Sequence, residues 1–140
     1  MVGYTVPDGT WKAVWNQWGG HTQHLGRWII RQIKKGKGDL EAFRAQYIDA
    51  CPEGWSSIEK GERCEDPVGY LSGHFDGVIA RCNEGENALC YDSNYLYLIH
   101  APKRRLYVFE VTDRPMRPFG MITFDGEGNP TPKALPKVEE

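Results

Sequence analysis

Alternating apolar and polar positions predict a β-hairpin at the start of the chain. Residues 2–6 alternate like a strand, residues 7–10 have the composition of a tight turn, and residues 11–18 resume the alternation. Each face of the second strand carries apolar side chains: Trp11, Ala13 and Trp15 on one, and Val14 and Trp18 on the other. We therefore expect this hairpin to be covered on both faces.

Apolar residues at helical spacing predict two helices after the hairpin. The pair Gly19-Gly20 ends the strand pattern, and residues 21–35 are expected to form a helix with Thr22 as its N-cap. Asp39 is expected to cap a second helix over residues 40–51. The apolar stripes of these helices are formed by Leu25, Trp28, Ile29 and Ile33, and by Leu40, Phe43 and Tyr47.

The second half of the chain contains the clearest pair of strands. Residues 95–101 and 104–111 alternate in side-chain polarity on either side of a turn at Pro102-Lys103. Residues 78–82 have the pattern of a short strand, and residues 119–124 predict a strand at the sheet edge. The second half therefore predicts a hairpin with an additional edge strand.

These elements predict an α+β fold in which an antiparallel sheet, made of the N-terminal and C-terminal hairpins, packs against two helices. Residues 1–124 are expected to form a single domain. Residues 125–140 consist of glycine, proline and charged residues without a period, which is typical of a flexible tail. Residues 52–77 also lack a strong period, and a segment of this kind is often functional.

The composition narrows the classes of protein to consider. A chain of 140 residues with five Trp, seven Tyr and five Phe can build a sizeable core. The formal net charge of −2 gives no overall attraction to nucleic acid or to acidic membranes. The first residues lack the basic and apolar regions of a secretory signal, and no apolar run is long enough for a membrane helix. We therefore expect a cytoplasmic protein without a membrane partner.

The cysteine content leaves three readings open. In a reducing compartment free thiols are expected, while two disulfides or metal ligation are the alternatives. No C-x-x-C pair is present among the four residues, which are Cys51, Cys64, Cys82 and Cys90. No cofactor is expected, because the familiar nucleotide-binding, zinc-protease and serine-hydrolase motifs do not occur in the sequence.

Three short motifs resemble a family of small bacteriophage and actinobacterial proteins. They are Asp8-Gly9-Thr10, the strand end Gln17-Trp18-Gly19-Gly20, and Leu25-Gly26 before an apolar helix. In that family a DGT turn precedes a strand ending in HWDGYP, and a similar glycine opens the helix. The resemblance implies an accessory protein of phage type with no established reaction. Gln17 and Gly19 stand where the family has His and Asp, which counts against acid–base or metal chemistry here.

Two sets of residues are candidates for chemistry. His21 and His24 lie three residues apart at a helix start, but a zinc site needs three or four ligands, so polar histidines near solvent are the simpler interpretation and no metal site is expected. Cys64, His74 and Asp76 have the residue types of a small hydrolase or transferase. No recognisable signature surrounds Cys64, and we lean against enzymatic activity.

Basic side chains form a second group of candidates. They would bind a nucleotide or a nucleic acid, whereas the alternative interpretation is a solvated helix face and a charged turn. The residues concerned are Arg27, Arg31, Lys34 and Lys35 on the first helix, and Lys103, Arg104 and Arg105 at the hairpin tip.

Tryptophans near the paired glycines give the leading hypothesis. Most of Trp11, Trp15, Trp18 and Trp28 are expected in the core, but one or two exposed rings beside Gly19-Gly20 would form a docking surface. We predict a non-enzymatic accessory binding protein that acts on a host protein or a small ligand, with host takeover or counter-defence as the implied role. Its predicted binding surface consists of Trp15, Trp18, Gly19, Gly20, His21 and His24.

Overall fold

The structure, a computed structural model, describes residues 1–18, 20–83, 93–111 and 116–131. Within these residues there are ten strands, two helical segments between β2 and β3, and a short 3-10 helix (Ala101–Lys103) between β7 and β8. Eight of the strands form one sheet in the order β10-β9-β8-β7-β1-β2-β5-β6. The first half of the chain supplies β1 (Val2–Val6), β2 (Thr10–Val14), β3 (Trp55–Ser57), β4 (Glu62–Arg63) and β5 (Leu71–Phe75). The second half supplies β6 (Ala80–Cys82), β7 (Tyr95–His100), β8 (Arg105–Glu110), β9 (Arg117–Phe124) and β10 (Pro130–Thr131).

The two predicted hairpins form the centre of this sheet. Strands β1 and β2 pair antiparallel, as do β7 and β8. The hairpins join through a parallel pairing of β1 with β7, in which Val2 lies opposite Tyr97. The predicted α+β fold with a mostly antiparallel sheet is therefore confirmed.

The sheet curls strongly around one of its faces. Phe75 on β5 packs against Tyr107 and Phe109 on β8, with ring centroids 4.9 and 5.9 Å apart, although β2, β1 and β7 lie between these strands in the sheet order. The backbone N–H of Met116 also donates to the carbonyl oxygen of Ala80 on β6 at 3.0 Å. The entrance to β9 thus meets the opposite edge of the sheet, and the inner face is enclosed.

The helical segments cover the other face of the sheet. A π-helical turn (Thr22–Gly26) leads into α1 (Arg27–Lys35), and α2 (Leu40–Arg44) continues into a second π-helical turn (Ala45–Asp49). The predicted apolar stripes are confirmed, since Leu25, Ile29, Ile33, Leu40 and Phe43 are buried and Trp28 and Tyr47 pack against them. No helix within the described ranges has the length and apolar character needed to cross a membrane.

Two apolar clusters therefore lie on opposite faces of one sheet. The outer cluster joins the N-terminal hairpin and the helices to the C-terminal hairpin, through residues such as Val2, Ile29 and Tyr97. The inner cluster, enclosed by the curl, contains Trp11 and Phe109. The expectation that the first hairpin is covered on both faces is confirmed, because Val2 and Trp11 are each fully buried.

Several local predictions need correction. Strand β2 ends at Val14, not at residue 18, because the chain then leaves the sheet to run beside β3. The N-cap of the first helical segment is His21, whose Nδ1 accepts from the Gln23 N–H at 3.1 Å, and not Thr22. The fold also continues past residue 124 through a turn and β10, and the expected tail beyond residue 131 lies outside the described residues.

The expectation of free thiols holds only in part. Cys51 and Cys64 are free, whereas Cys82 takes part in a disulfide. Cys90 lies outside the described residues. The free-thiol prediction is therefore wrong for Cys82.

Candidate binding site

The segment that follows β2 is fixed by backbone hydrogen bonds to β3. The Trp55 N–H donates to the carbonyl oxygen of Trp15 at 2.7 Å, and the Gln17 N–H donates to the carbonyl oxygen of Trp55 at 3.0 Å. The Trp18 N–H continues this pattern by donating to the carbonyl oxygen of Ser56 at 3.0 Å. Residues 15–18 therefore have a defined backbone although they lie outside the main sheet.

Trp18 presents its ring to solvent from this fixed backbone. Its exposed fraction is 64%, whereas Trp11 is fully buried and Trp55 is 7% exposed. The indole N–H of each buried ring forms a hydrogen bond. Trp11 donates to the carbonyl oxygen of Arg81, and Trp55 donates to that of Tyr47. This arrangement is consistent with the expectation that most of the tryptophans lie in the core. Trp18 is the exposed ring beside the glycines.

We refer to Trp15, Gln17, Trp18 and Gly20 as the tryptophan surface. Two depressions adjoin it, and Trp15 and Gln17 line both. The smaller is a cavity of about 90 Å³, which is also lined by Met1, Asn16, Gly20, Ser93, Asn94 and Tyr95. The larger is an open groove of about 530 Å³, which is also lined by Ser56, Glu62, Arg63, Cys64, Glu65, Asp66 and Val68.

Ser93 is the unusual residue of the smaller cavity. It is 7% exposed, and its Oγ has no hydrogen-bond partner among the described residues. A buried hydroxyl without a partner is costly, and this Oγ is itself closed to the open space of the cavity.

Comparisons with protein-family models, with curated proteins and with solved structures find no match. The resemblance to the phage and actinobacterial family therefore stays a prediction.

The structure brings part of the predicted binding surface together. Gly20 lines the small cavity, and its carbonyl oxygen accepts a hydrogen bond from the Tyr97 hydroxyl at 2.7 Å. The His21 ring lies edge-on to Tyr95, which also lines that cavity, at 6.0 Å between centroids. His24 is exposed and lies further along the helical turn, 6.4 Å from His21. Gly19 lies outside the described residues.

His21 and His24 were considered above as possible metal ligands. Within the described ranges no group of three or more His, Cys, Asp or Glu side chains is placed to hold a metal ion. Instead, His21 acts as a helix cap, because its Nδ1 accepts from the Gln23 N–H.

The two predicted basic clusters meet at the turn between β9 and β10. Lys34 donates to the side chain of Asn129, and the Arg104 guanidinium lies beside Gly126 in the same turn. This turn also carries Asp125, so the combined patch is not purely basic.

The remaining basic side chains lie elsewhere on these elements. Arg27 is exposed and donates to Gln23, and Arg105 donates to the Tyr107 hydroxyl at 3.2 Å. Arg31, Lys35 and Lys103 are exposed. Binding of a nucleic acid or a nucleotide by these residues stays an alternative prediction.

The residues predicted as a nucleophile set, Cys64, His74 and Asp76, interact with different neighbouring groups. Burial raises the pKa of the Cys64 thiol, and the carboxylates of Glu53 and Asp66 raise it further. Hydrogen bonds from Thr10, with a smaller contribution from the charge of His74, lower the pKa of Asp8. The Asp76 carboxylate accepts from the backbone of the β5–β6 turn. A thiol with a raised pKa is a poor nucleophile at neutral pH, so this arrangement does not activate Cys64.

A polar cluster that the sequence did not indicate ties the second helical segment to the sheet. The hydroxyl groups of Tyr4 and Tyr70 donate to Oδ1 of Asp49 at 3.1 and 3.0 Å, and Arg44 donates to Oδ2 at 3.0 Å. The Arg44 guanidinium lies 3.6 Å from the centroid of the Tyr4 ring. These contacts account for the cluster as a structural link between β1, the segment before β5 and the helical segment.

The sequence analysis also did not identify three polar residues that line the two depressions beside the tryptophan surface. Asn16, Ser56 and Ser93 have ordinary polar side chains, and nothing in their own sequence neighbourhoods marks Ser56 or Ser93. Asn16 does carry a signal, because it is a polar residue between the tryptophans of an apolar β-run. In the structure Asn16 is buried, and both its Nδ2 and its Oδ1 form hydrogen bonds.

Proposed function

We propose that this protein is a non-enzymatic binding protein that docks a partner protein on its tryptophan surface. The observation that carries the proposal is Trp18, a residue that is 64% exposed although hydrogen bonds hold its backbone N–H and its carbonyl oxygen. Burial of a large apolar side chain contributes about 1.5–3 kcal/mol, and Trp is the residue type most enriched among binding hot spots.

The fixed backbone supports this proposal for an energetic reason. A side chain that must be ordered on binding loses conformational entropy, which reduces the affinity. Trp18 starts from a backbone that is already bonded to Ser56 and Asn16, so less of this loss occurs when a partner arrives. The half-buried Trp15 and the two adjoining depressions extend the surface around the ring.

The partner proposed is a host protein, because the motif resemblance is to proteins of phage type. Host takeover or counter-defence is the corresponding role. The alternative partner is a small ligand, which would bind in the adjoining depressions and use the same surface.

The cytoplasm is the proposed location. The free thiols of Cys51 and Cys64 support it, whereas the disulfide at Cys82 weighs against it, because disulfides are rare in reducing compartments. Fractionation of cells that express the protein tests this point. Recovery with a cytoplasmic marker protein supports the cytoplasm, and recovery outside the cytoplasmic fraction contradicts it.

Affinity capture with a matched variant tests the binding proposal. The wild type, Trp18→Ala and Val78→Ala would be immobilised and exposed to bacterial lysate, after circular dichroism has shown that all three are folded. Val78 is 66% exposed, so it controls for loss of an exposed apolar side chain elsewhere. We expect a protein retained by the wild type and by Val78→Ala but not by Trp18→Ala. Equal retention by all three proteins would contradict the proposal.

A further inference from the structure

A second groove lies away from the tryptophan surface, at the point where the pairing of β8 with β9 is irregular. Val108 pairs with Gly120 and Phe109 pairs with Pro118, so Phe119 is the additional residue of a β-bulge. The groove beside this bulge has a volume of about 340 Å³, and we refer to it as the β9 groove. Among the described residues, it shares no lining residue with the two depressions at the tryptophan surface.

The lining of the β9 groove is mainly apolar. Tyr107 and Phe109 contribute to it from β8, and Pro118, Phe119 and Met121 contribute from β9. Met121 is exposed and pairs with Tyr107 across the two strands. Apolar pockets of about 300–1,000 Å³ typically hold small molecules and orient them through a few polar groups. The volume of the β9 groove is at the lower end of that range, which indicates a small ligand.

A guanidinium group lies beside the groove, in contact with the tyrosine that lines it. Arg105 precedes Tyr107 by two residues on the same face of β8, and its Nη1 donates to the Tyr107 hydroxyl oxygen at 3.2 Å. The salt bridges among the described residues do not include Arg105, which is half-buried. Its positive charge therefore has no carboxylate partner there, and an anionic ligand would supply one.

Two further groups favour an anion at this position. The Tyr107 hydroxyl accepts from Arg105, and within the described part of the chain its own proton has no acceptor, so it is able to donate to a ligand. The His100 ring lies 5.9 Å from the Tyr107 ring between centroids. Burial and then the positive charges of Lys103 and Arg105 lower the pKa of His100. The local potential is thus positive, although the whole chain has a net charge of −2.

We infer that the β9 groove binds a small apolar carboxylate. The hydrocarbon part of the ligand would lie against Phe119 and Met121, where burial of apolar surface stabilises the complex. The carboxylate would accept hydrogen bonds from the Arg105 guanidinium and from the Tyr107 hydroxyl, and a bond from a charged donor is stronger than one between neutral groups. This is a second site, and it does not rest on the proposed function.

Octanoate tests this inference, with octanol and octylamine as neutral and cationic probes of the same chain length. The readout is the Met121 methyl resonance in two-dimensional NMR of protein with labelled methionine methyl groups. The chain has three Met, so the variant Met121→Leu assigns this resonance. We expect octanoate to shift the resonance with an affinity about tenfold above that of octanol, and octylamine to bind no more tightly than octanol. Hexanoate should bind roughly tenfold more weakly than octanoate, because two fewer methylene groups are buried.

Variants of Arg105 localise the charge effect. Arg105→Gln should bind octanoate about tenfold more weakly than the wild type does, with the affinity for octanol unchanged. Arg105→Lys retains the charge without the planar guanidinium and should recover part of the lost affinity. Lys60→Gln is the control, because it removes one positive charge from an exposed position between β3 and β4, and it should bind octanoate as the wild type does. Circular dichroism shows whether each variant is folded.

The outcomes decide the inference separately from the proposed function. Equal affinities for octanoate and octanol, an unshifted Met121 methyl resonance, or equal weakening by Arg105→Gln and Lys60→Gln would overturn it. If Arg105→Gln does not fold, the comparison of the three probes on the wild type decides the question. A protein that fails to bind octanoate but still captures a partner through Trp18 would leave the proposed function in place.

Discussion

The side-chain amide of Asn16 donates a hydrogen bond from Nδ2 to the carbonyl oxygen of Trp18 at 2.9 Å. Asn16 is buried, and its Oδ1 accepts from the backbone N–H of Ile58 at 2.8 Å. One side chain therefore joins the segment that carries the exposed indole to the chain that follows β3. This link explains how an exposed tryptophan can have a defined backbone outside the main sheet.

Replacement of Asn16 should test this link. Asn16→Ala leaves the Ile58 N–H and the Trp18 carbonyl oxygen without their partner, and an unpaired buried polar group costs about 1–3 kcal/mol. The free energy of unfolding, measured by urea denaturation, should fall by that amount. Gln17→Ala is the control, because Gln17 is exposed and such changes typically shift stability by less than about 0.5 kcal/mol. Equal effects of the two variants would show that the amide does not support Trp18.

Gly73 should tolerate no side chain. A Cβ at this position would lie 1.8 Å from the carbonyl oxygen of Arg81 and 2.6 Å from the ring of Trp11. Overpacking of this kind costs about 1–3 kcal/mol or more, so Gly73→Ala should lower the free energy of unfolding at least that far. Gly20→Ala has no atom within 4 Å of the new methyl group and should be nearly neutral. A stable Gly73→Ala protein would contradict the pairing of β5 with both of its neighbours.

The hydroxyl of Tyr70 should titrate far above its usual range. Burial, followed by the hydrogen bond to Asp49 and the charge of Asp49, raises the pKa of Tyr70 from 10.0 to about 12. Because the folded protein holds this proton more tightly than the unfolded chain does, stability is present below pH 10 and is lost as the pH rises towards 12. In Asp49→Asn the pKa of Tyr70 should fall, although burial keeps it above 10.0.

NMR titration of labelled tyrosine rings measures this shift for each residue separately. An unchanged pKa of Tyr70 in the variant would contradict the Asp49 contact.

The two free thiols should react slowly at neutral pH. Burial and the nearby charge of Glu53 raise the pKa of Cys51 to about 11, and burial also raises the pKa of Cys64. Alkylation by iodoacetamide, followed by mass spectrometry, should be slower at both sites than for free cysteine and should accelerate as the pH rises. Cys64 should react before Cys51, since Cys51 is fully buried. A Cys64 that reacts faster than free cysteine would restore the nucleophile hypothesis.

Most of the fold could be predicted because its hairpins and helices follow simple periods. Leu25, Ile29 and Ile33 lie on one helical face, and all three are buried as expected. Strand β5 was missed because glycine and histidine interrupt its apolar pattern. Gly73 takes the place of an inward apolar residue, since the ring of Trp11 occupies the space that its side chain would need. That requirement comes from a residue 62 positions away and leaves no local period.

The candidate site could be predicted only in part, and for a related reason. The exposed tryptophan beside the glycines can be recognised from the sequence, because the apolar alternation typical of a β-strand continues to Trp18, whereas β2 ends at Val14. The open groove lined by Glu62, Glu65 and Asp66 has no such signal, since it exists only when β3 and the segment after it are bonded to Trp15 and Gln17. Ser93 likewise reaches the cavity through the parallel pairing of β1 with β7.

Calorimetric titration of the captured partner, once purified, tests the central claim most directly. Binding to the wild type, to Trp18→Ala and to Val78→Ala would be compared under one set of conditions. A hot-spot role predicts that Trp18→Ala binds about 2 kcal/mol more weakly than the wild type, while Val78→Ala binds as the wild type does. Equal affinities for Trp18→Ala and Val78→Ala would contradict a binding role for the exposed indole.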